Sequence, residues 1–153
     1  MTVEINNESD IEIEEVRIQR LAAFVLESMH VHPSTELGVM LVNEDAIAQL
    51  HVQWMDLPGP TDVLSFPMDE LRPGRADAQT PAGLLGDIVI CPQIAQAQGE
   101  AAGHDLAQEV SVLLTHGMLH LLGYDHAAPD EEAEMFGLQR DLLLSFAMHE
   151  RSR

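Results

Sequence analysis

Residues 105–126 read DLAQEVSVLLTHGMLHLLGYDH, and this stretch decides how the rest of the chain is organised. Apolar side chains recur through it at helical spacing, which predicts a helix from about Asp105 to Leu122 with one buried face. That face consists of Leu106, Val110, Leu113, Leu114, Met118 and Leu121. A central helix of this kind packs its apolar face on a sheet, while residues at the border of the face can reach a cleft.

Three histidines lie near this face: two at its border on the helix, and one after the turn that ends the helix. His116 and His120 are one helical turn apart, so their imidazoles can point at the same position. Gly123 can adopt the left-handed conformation that ends a helix, and His126 then approaches from the far side of the turn. Three neutral imidazoles with an open fourth position are typical of a catalytic zinc site. The spacing therefore predicts one Zn²⁺ per chain, bound by His116, His120 and His126.

Two other interpretations of the histidines stay open from the residues alone. They can be satisfied core or surface histidines, although composition gives this pattern by accident in only about one chain in a thousand. They can also form a structural zinc site, which is usually closed by a fourth ligand such as cysteine. The single cysteine, Cys91, precedes His116 by about 25 residues and falls on a different predicted element.

The spacing equals that of the metzincin peptidases, His-Glu-x-x-His-x-x-Gly-x-x-His, except at one position. Those enzymes use the glutamate as a general base, whereas the residue here is Gly117, which cannot move a proton. A peptidase or another metal hydrolase is therefore an alternative that lacks its proton-transfer group. A glycine inside a helix costs about 1 kcal/mol relative to alanine, which indicates that backbone or substrate approaches the helix closely there.

Composition limits the class of protein. A length of 153 residues predicts one domain over 1–153, and no apolar run is long enough to cross a membrane. The amino terminus lacks a basic region followed by an apolar stretch, so no secretory signal is expected there, and a single cysteine fits the reducing cytoplasm. The net charge of −19 repels nucleic acid at long range, so contact with RNA needs a few arginines, the metal or a partner protein. The alternative meaning of this charge is solubility.

Around the central helix, the patterns predict about four strands and five helices in mixed order. This is typical of a single compact α+β domain with a mixed sheet. The strands are expected at Val3–Ile5, Leu37–Leu41, Val63–Phe66 and Gly86–Cys91. Two of the other helices are expected at about 14–29 and at about 93–102. Another is expected after Asn43, which would be its N-cap, with an apolar side formed by Ile47, Leu50 and Trp54. The last is expected after Pro129, with a buried side formed by Met135, Leu138, Leu142 and Phe146. Residues 56–60 are predicted to form a loop, and residues 69–83 an exposed, mobile one.

Three segments together resemble the YbeY family of bacterial endoribonucleases: residues 116–126, Pro60–Pro67 and Gly86–Ile90. The resemblance implies a metal-dependent, single-strand-specific endoribonuclease with His116 as catalytic residue. It implies a role in 3′ end maturation of small-subunit (16S) ribosomal RNA and in ribosome quality control. The implied partners are ribosomal RNA and the small ribosomal subunit or an assembly protein. A ribosome-assembly binding protein with a mainly structural metal is the alternative from another functional class.

One residue departs from the family pattern. Many members carry an arginine directly after the aromatic residue that precedes the Pro-Thr-Asp segment, but here Trp54 is followed by Met55, which cannot bind a phosphate. Arg72 and Arg75 are the only bases between residues 21 and 139. We hypothesise that they replace the missing arginine as a phosphate clamp, because guanidinium binds phosphate through two donors. Ordinary loop arginines are the alternative.

Several residues near the three segments are candidates to support the metal site. A ligating histidine usually donates its second ring N–H to a carboxylate or carbonyl, and Asp62, Asp87 and Asp125 are the carboxylates expected to accept it. Ser65 can contact a phosphate, as can Thr61. Each of these can equally be a turn, cap or structural residue. The other histidines show no ligand pattern with one another.

Overall fold

The computed structural model describes residues 2–55 and 61–152. Its centre is a mixed sheet of four strands: β1 (Thr2–Asn7), β2 (Glu36–Leu41), β3 (Val63–Pro67) and β4 (Leu84–Ile90). The strand order is β1-β2-β4-β3, in which β1, β2 and β4 run parallel and β3 pairs with β4 in the antiparallel direction. This confirms the predicted mixed sheet and leaves β3 on one edge of it.

Five helices complete the described part of the chain and confirm the predicted α+β class. They are α1 (Glu15–Ser28), α2 (Glu44–Met55), α3 (Pro92–Ala102), α4 (Leu106–Leu121) and α5 (Pro129–Arg151). None of these described helices has the length and apolar character needed to span a bilayer. The buried side chains form one main cluster between the sheet and α1, α4 and α5, and a smaller cluster around Ile47 and Leu64 on the other side of the sheet.

Helix α4 is the central helix that the sequence predicts, and its start is fixed by a capping box. Asp105 accepts a hydrogen bond from the Gln108 backbone N–H at 2.8 Å, and the Gln108 side chain accepts one from the Asp105 N–H at 2.9 Å. These two bonds satisfy donors that the first turn of a helix leaves unpaired. From there the apolar face, including the fully buried Leu114 and Met118, packs into the core. The histidines are thereby brought to the C-terminal end of a helix held on several sides.

The predicted exposed loop at 69–83 is wrong in part, because the segment packs against the end of α1. Thr80 is only 7% exposed, and its hydroxyl accepts a hydrogen bond from the His32 N–H at 3.1 Å. The Gly74 N–H donates to the Met29 carbonyl at 2.9 Å. Polar composition predicted a solvated loop, but these polar groups instead satisfy backbone groups where α1 ends. The predicted loop at 56–60 lies outside the described residues.

Two local predictions on α2 also need correction. Trp54 is 62% exposed, because α2 covers only part of the sheet and the indole lies beside Phe66 near its margin. Asn43 precedes the helix as predicted, but its side-chain oxygen accepts from the Asp10 N–H at 2.9 Å and the Gln93 side chain at 2.6 Å. It therefore joins three segments of the chain that meet at this end of the sheet.

Candidate metal centre

The three predicted histidines meet at one point beside the C-terminal end of α4. The His116 and His120 rings are nearly perpendicular, with their centroids 4.6 Å apart, and the His126 ring lies 5.6 and 5.2 Å from them. One nitrogen from each ring lies within 4.8 Å of the other two, so the group could hold a metal ion. The structure therefore brings together all three residues that the spacing singled out.

Gly123 makes the turn that brings His126 back toward the helix. Its φ is +98°, in the left-handed region that a residue with a Cβ adopts at a cost. The turn is closed by hydrogen bonds from the Gly123 N–H to the His120 carbonyl and from the Tyr124 N–H to the Leu119 carbonyl, both 3.0 Å. The space that a Cβ would occupy is filled by the Arg72 side chain, whose Nε lies 2.7 Å from the Cβ position.

The second ring nitrogens of His116 and His120 are both occupied by acceptors. His116 Nδ1 lies 2.9 Å from Gln139 Oε1, and His120 Nδ1 lies 3.0 Å from the Tyr124 carbonyl oxygen. Because an amide or carbonyl oxygen only accepts, each Nδ1 carries the proton in the neutral ring and each Nε2 presents a lone pair. The hydrogen bonds thus select the tautomer that binds metal through Nε2.

These tautomers fit a bound cation. The two Nε2 atoms are 3.1 Å apart, so two lone pairs face each other unless a positive charge lies between them. Two nitrogens of a tetrahedral zinc site, each 2.0–2.1 Å from the metal, lie about 3.3 Å apart. Zn²⁺ is therefore compatible with the spacing and chemistry of these donors.

Burial favours the neutral rings that a metal requires. The pKa of His116 is lowered from its usual value, chiefly by burial and also by the neighbouring His126, although the Gln139 hydrogen bond and the nearby Asp62 carboxylate act in the opposite direction. Burial also lowers the pKa of His120, and the neighbouring His116 adds to this effect. A lowered pKa leaves less imidazolium to compete with a cation.

The histidines line an open cleft of about 430 Å³. Its other lining residues are Met55, Asp62, Val63, Leu64, Ser65 and Pro67. Among the described residues, no cysteine or carboxylate joins the three histidines as a fourth ligand. Cys91 is buried in the smaller core cluster around Leu64, and its thiol contacts Gln93. The described surroundings therefore leave a side of the ligand group accessible from the cleft.

Two of the predicted supporting residues lie in this cleft. Asp62 Oδ1 accepts the Val63 N–H at 2.8 Å, and Ser65 Oγ donates to the Gly117 carbonyl at 3.3 Å. Asp125 directly precedes His126, its Oδ1 accepts the His126 N–H at 2.7 Å, and its side chain borders a neighbouring cavity. The structure thus places Asp62 and Ser65 beside the ligands and uses Asp125 to fix the backbone of His126.

The structure does not bring the other three predicted residues into the cleft. The Ile88 side chain contacts α4. Successive residues of a strand point to opposite faces of the sheet, so Asp87 lies on the face away from α4. Arg72 packs on Gly123 and donates to the carbonyls of Glu70 and Leu71. Arg75 is exposed, 3.8 Å from Asp77.

Gly117 is needed for space, as the sequence indicates, but the close neighbours are side chains and not backbone or substrate. A Cβ at this position would lie 3.1 Å from both Ile88 Cγ2 and Ser65 Oγ. The missing Cβ lets α4 approach β3 and β4 closely. Helix α4 can then carry His116 to the rim of the sheet.

Two residues at the site were missed by the sequence interpretation. Gln139 is 8% exposed and lies on the buried face of α5 with Met135, Leu142 and Phe146. A single glutamine within an apolar helical stripe is the sequence feature that could have indicated its role. Phe136 is 43% exposed and stacks on His116 with ring centroids 5.5 Å apart. It falls outside the apolar stripe, and no sequence pattern pointed to it.

Comparison with known proteins gives consistent matches over almost the whole chain. A family model described as "Endoribonuclease YbeY" matches residues 4–147. Proteins named "Endoribonuclease YbeY" are 65% identical over all of both chains in Clavibacter sepedonicus and 62% identical over 99% of both chains in Leifsonia xyli subsp. xyli. The solution structure of TM1509 from Thermotoga maritima superimposes with a TM-score of 0.65 at 25% identity, covering 98% of this chain and 92% of that one.

Proposed function

This chain belongs to the endoribonuclease YbeY family, and from that premise we propose that it is a zinc-dependent endoribonuclease that cleaves single-stranded RNA. Its proposed substrate is the precursor of 16S ribosomal RNA, near the 3′ end. The proposed setting is the cytoplasm, on the small ribosomal subunit or with an assembly protein, where the same activity serves ribosome quality control. The observation that carries the proposal is the convergence of three imidazoles, oriented by Gln139 and Tyr124, on an open cleft.

His116, His120 and His126 would hold the metal through ring nitrogens. A divalent cation bound there would polarise a phosphoryl oxygen and lower the pKa of water. Asp62 is the carboxylate among the described lining residues of the cleft. We assign it the role of accepting the proton of the attacking oxygen, because general-base catalysis needs an acceptor within reach of that oxygen.

The test uses purified protein with its metal content measured, a precursor RNA, and the His116→Ala variant in parallel. We expect wild-type protein to cut in a single-stranded region and His116→Ala to lose both metal and cleavage. Cutting by both proteins would indicate a contaminating nuclease and would count against the proposal. Products that end in a 2′,3′-cyclic phosphate would identify the ribose 2′-hydroxyl as the nucleophile.

A binding protein for ribosome assembly is the second candidate, favoured by the charge of the cleft. The described lining residues include no arginine or lysine, and Met55 lies where many members carry arginine. RNA binding without cleavage by fully metal-loaded protein would support this candidate. A peptidase has less support, because Gly117 replaces the general base, and a panel of peptide substrates with added zinc tests it.

The phosphate-clamp hypothesis for Arg72 and Arg75 stays a proposal. Both side chains lie outside the cleft lining, and Arg72 is partly engaged with the turn at Gly123. Changing both to alanine should weaken RNA binding and reduce its salt dependence if they contact phosphates. Unchanged affinity and salt dependence would end the hypothesis.

A further inference from the structure

The outer edge of β3 is a row of backbone groups beside the candidate metal centre. Strand β3 is an edge strand that pairs only with β4 among the described strands. In an antiparallel pair, alternate residues direct their N–H and C=O groups toward the partner strand, and the residues between them direct theirs away. The register therefore determines which groups of β3 are left for another molecule.

The hydrogen bonds at both ends of β3 fix that alternation. The Cys91 N–H donates to the Asp62 carbonyl at 3.0 Å, and the Met68 N–H donates to the Leu85 carbonyl at 3.3 Å. The even-numbered residues of the strand, Leu64 and Phe66, thus direct their backbone N–H and C=O groups toward β4. Val63, Ser65 and Pro67 direct theirs to the outer edge.

Ser65 is the centre of this edge. The Val63 N–H is already bonded to the Asp62 side chain, and Pro67 has no N–H. Among the outward-directed residues of β3, Ser65 is therefore the one whose N–H is not bonded to any group in the described part of the chain. The Ser65 carbonyl lies next to it as an acceptor. Its side chain is bonded to the Gly117 carbonyl on α4, which directly follows His116. Donor and acceptor therefore lie in the same cleft as the candidate metal ligands.

The occupant must suit the chemistry of the cleft. Val63, Ser65 and Pro67 line the same cleft as the three histidines, and the described lining includes no arginine or lysine to bind phosphate. This described lining favours recognition of a polymer through neutral hydrogen bonds. Unpaired nucleobases present adjacent donors and acceptors on their Watson–Crick edges, and single-stranded RNA is commonly read through them.

We propose that the outer edge of β3, centred on the Ser65 N–H and C=O, is a subsite that binds one unpaired base of the RNA next to the cleavage site. The inference rests on the proposed function, because it takes the RNA strand to lie across the same cleft. In a duplex the Watson–Crick edge is already paired, so this subsite admits only an unpaired base. An extended peptide pairing with the same edge is the competing occupant.

Two variants of Ser65 separate its backbone from its side chain. Ser65→Pro removes the outward N–H without removing a bond to β4, and proline is tolerated at such positions of edge strands, as Pro67 two residues later illustrates. Ser65→Ala removes the hydroxyl and keeps the N–H, so it is the matched control. Thermal unfolding and metal affinity of both variants report whether the site itself is intact.

The readout is the Kd of the metal-loaded protein for a labelled single-stranded RNA, measured by fluorescence anisotropy, with a gel to verify that the RNA is intact. We expect Ser65→Pro to raise the Kd about three- to tenfold, as loss of one hydrogen bond predicts. Ser65→Ala should stay within about twofold. Equal Kd values for Ser65→Pro, Ser65→Ala and wild type would overturn the proposal.

A second measurement changes the RNA and is made on both wild-type protein and Ser65→Pro. A single abasic position is moved along the RNA, and one position should weaken wild-type binding by about the same factor. Ser65→Pro should lose nothing further at that position, because the two changes remove the same contact. If Ser65→Pro does not fold, the abasic series decides alone, and equal affinity at every position would overturn the subsite.

The outcomes also separate this inference from the proposed function. Cleavage of RNA with no effect of Ser65→Pro or of any abasic position rejects the subsite and keeps the nuclease. Base-dependent binding without cleavage keeps the subsite and rejects the nuclease. Binding of an extended peptide in place of RNA, weakened by Ser65→Pro, rejects the base subsite in favour of strand addition.

Discussion

Gln139 Oε1 lies 2.9 Å from His116 Nδ1, and this contact joins the buried face of α5 to the candidate metal centre. The acceptor is a neutral amide, so it orients the imidazole and fixes its tautomer without adding a negative charge. Partners of this kind typically change metal affinity 10- to 100-fold when they are removed. The residue is thus expected to act on the metal through His116.

Gln139→Leu should weaken metal binding by about 10- to 100-fold, because His116 loses the acceptor that holds its ring. Gln139→Glu retains an acceptor at the same position and should restore the affinity. Competition with a chelator measures both. Gln98→Leu, at an exposed position of α3, is the matched control and should leave the affinity unchanged. Equal affinities for all four proteins would show that Gln139 does not position the ring.

Asp62→Asn should separate catalysis from metal binding. The asparagine oxygen can still accept the Val63 N–H, so the local backbone is retained. We expect cleavage to fall about 10²- to 10⁴-fold, as loss of a general base predicts, while metal affinity changes less than about tenfold. Asp125→Asn removes an equal charge from the neighbouring cavity and should retain most of the activity. An Asp62→Asn enzyme as active as wild type would remove Asp62 from the mechanism.

The histidine cluster and the helices were predictable because their signals are local in the chain. Three ligands within eleven residues need only a helical turn and one glycine to meet, and both are visible in the sequence. The helices follow from apolar spacing along single segments. The described elements accordingly match the predicted order, with small differences at their ends.

The supporting contacts were not predictable because they depend on how distant segments pack. Gln139 is 23 residues from His116, and the sequence favoured carboxylates as its partner. Asp87 belongs to a segment that resembles the family, yet strand alternation turns it away from α4. A sequence motif can predict which helices and strands lie near one another. The direction of each side chain depends in addition on strand register and on how the elements pack.

Gly123→Ala should damage the metal site and the fold together. Both Gly123 and Gly103 have left-handed backbones, with φ of +98° and +85°, so alanine costs about 1–2 kcal/mol of stability at either position. At Gly103 a Cβ meets nothing within 4 Å, whereas at Gly123 it meets the Arg72 side chain. Metal affinity should therefore fall in Gly123→Ala and not in Gly103→Ala. An equal metal affinity in the two variants would show that the turn tolerates displacement of Arg72.

Gly117→Val should destabilise the protein through its contact with the sheet. The branched side chain meets Ile88 and Ser65 where a Cβ alone is already at 3.1 Å, and such overpacking costs about 1–3 kcal/mol. At Gly137 on α5 a Cβ meets nothing within 4 Å, so Gly137→Ala should raise the free energy of unfolding by up to about 1 kcal/mol. Urea denaturation measures both variants. Stability of Gly117→Val equal to wild type would contradict close packing of α4 on the sheet.

The lowered pKa values of His116 and His120 set the direction of the pH dependence. Without metal, these residues take up protons in the unfolded chain near the usual pKa of about 6.5, and in the folded protein only at lower pH. Their contribution to stability is therefore present above about pH 6.5 and is lost as the pH falls through the folded pKa values. The folded protein keeps both imidazoles neutral, and thus competent as ligands, to a lower pH than exposed histidines.

Metal affinity should accordingly vary little with pH above about 6.5 and fall steeply as the pH drops through the lowered pKa values of His116 and His120, with more than one proton competing for each ion. A chelator competition series from about pH 8 to pH 4.5 measures the slope of the logarithm of the affinity against pH. His120→Ala removes one competing imidazole and should lower both the affinity and that slope. If the logarithm of the affinity fell by no more than about one unit per pH unit anywhere between about pH 8 and pH 4.5, fewer than two protons would compete for each ion, and the ligands would be groups other than these histidines.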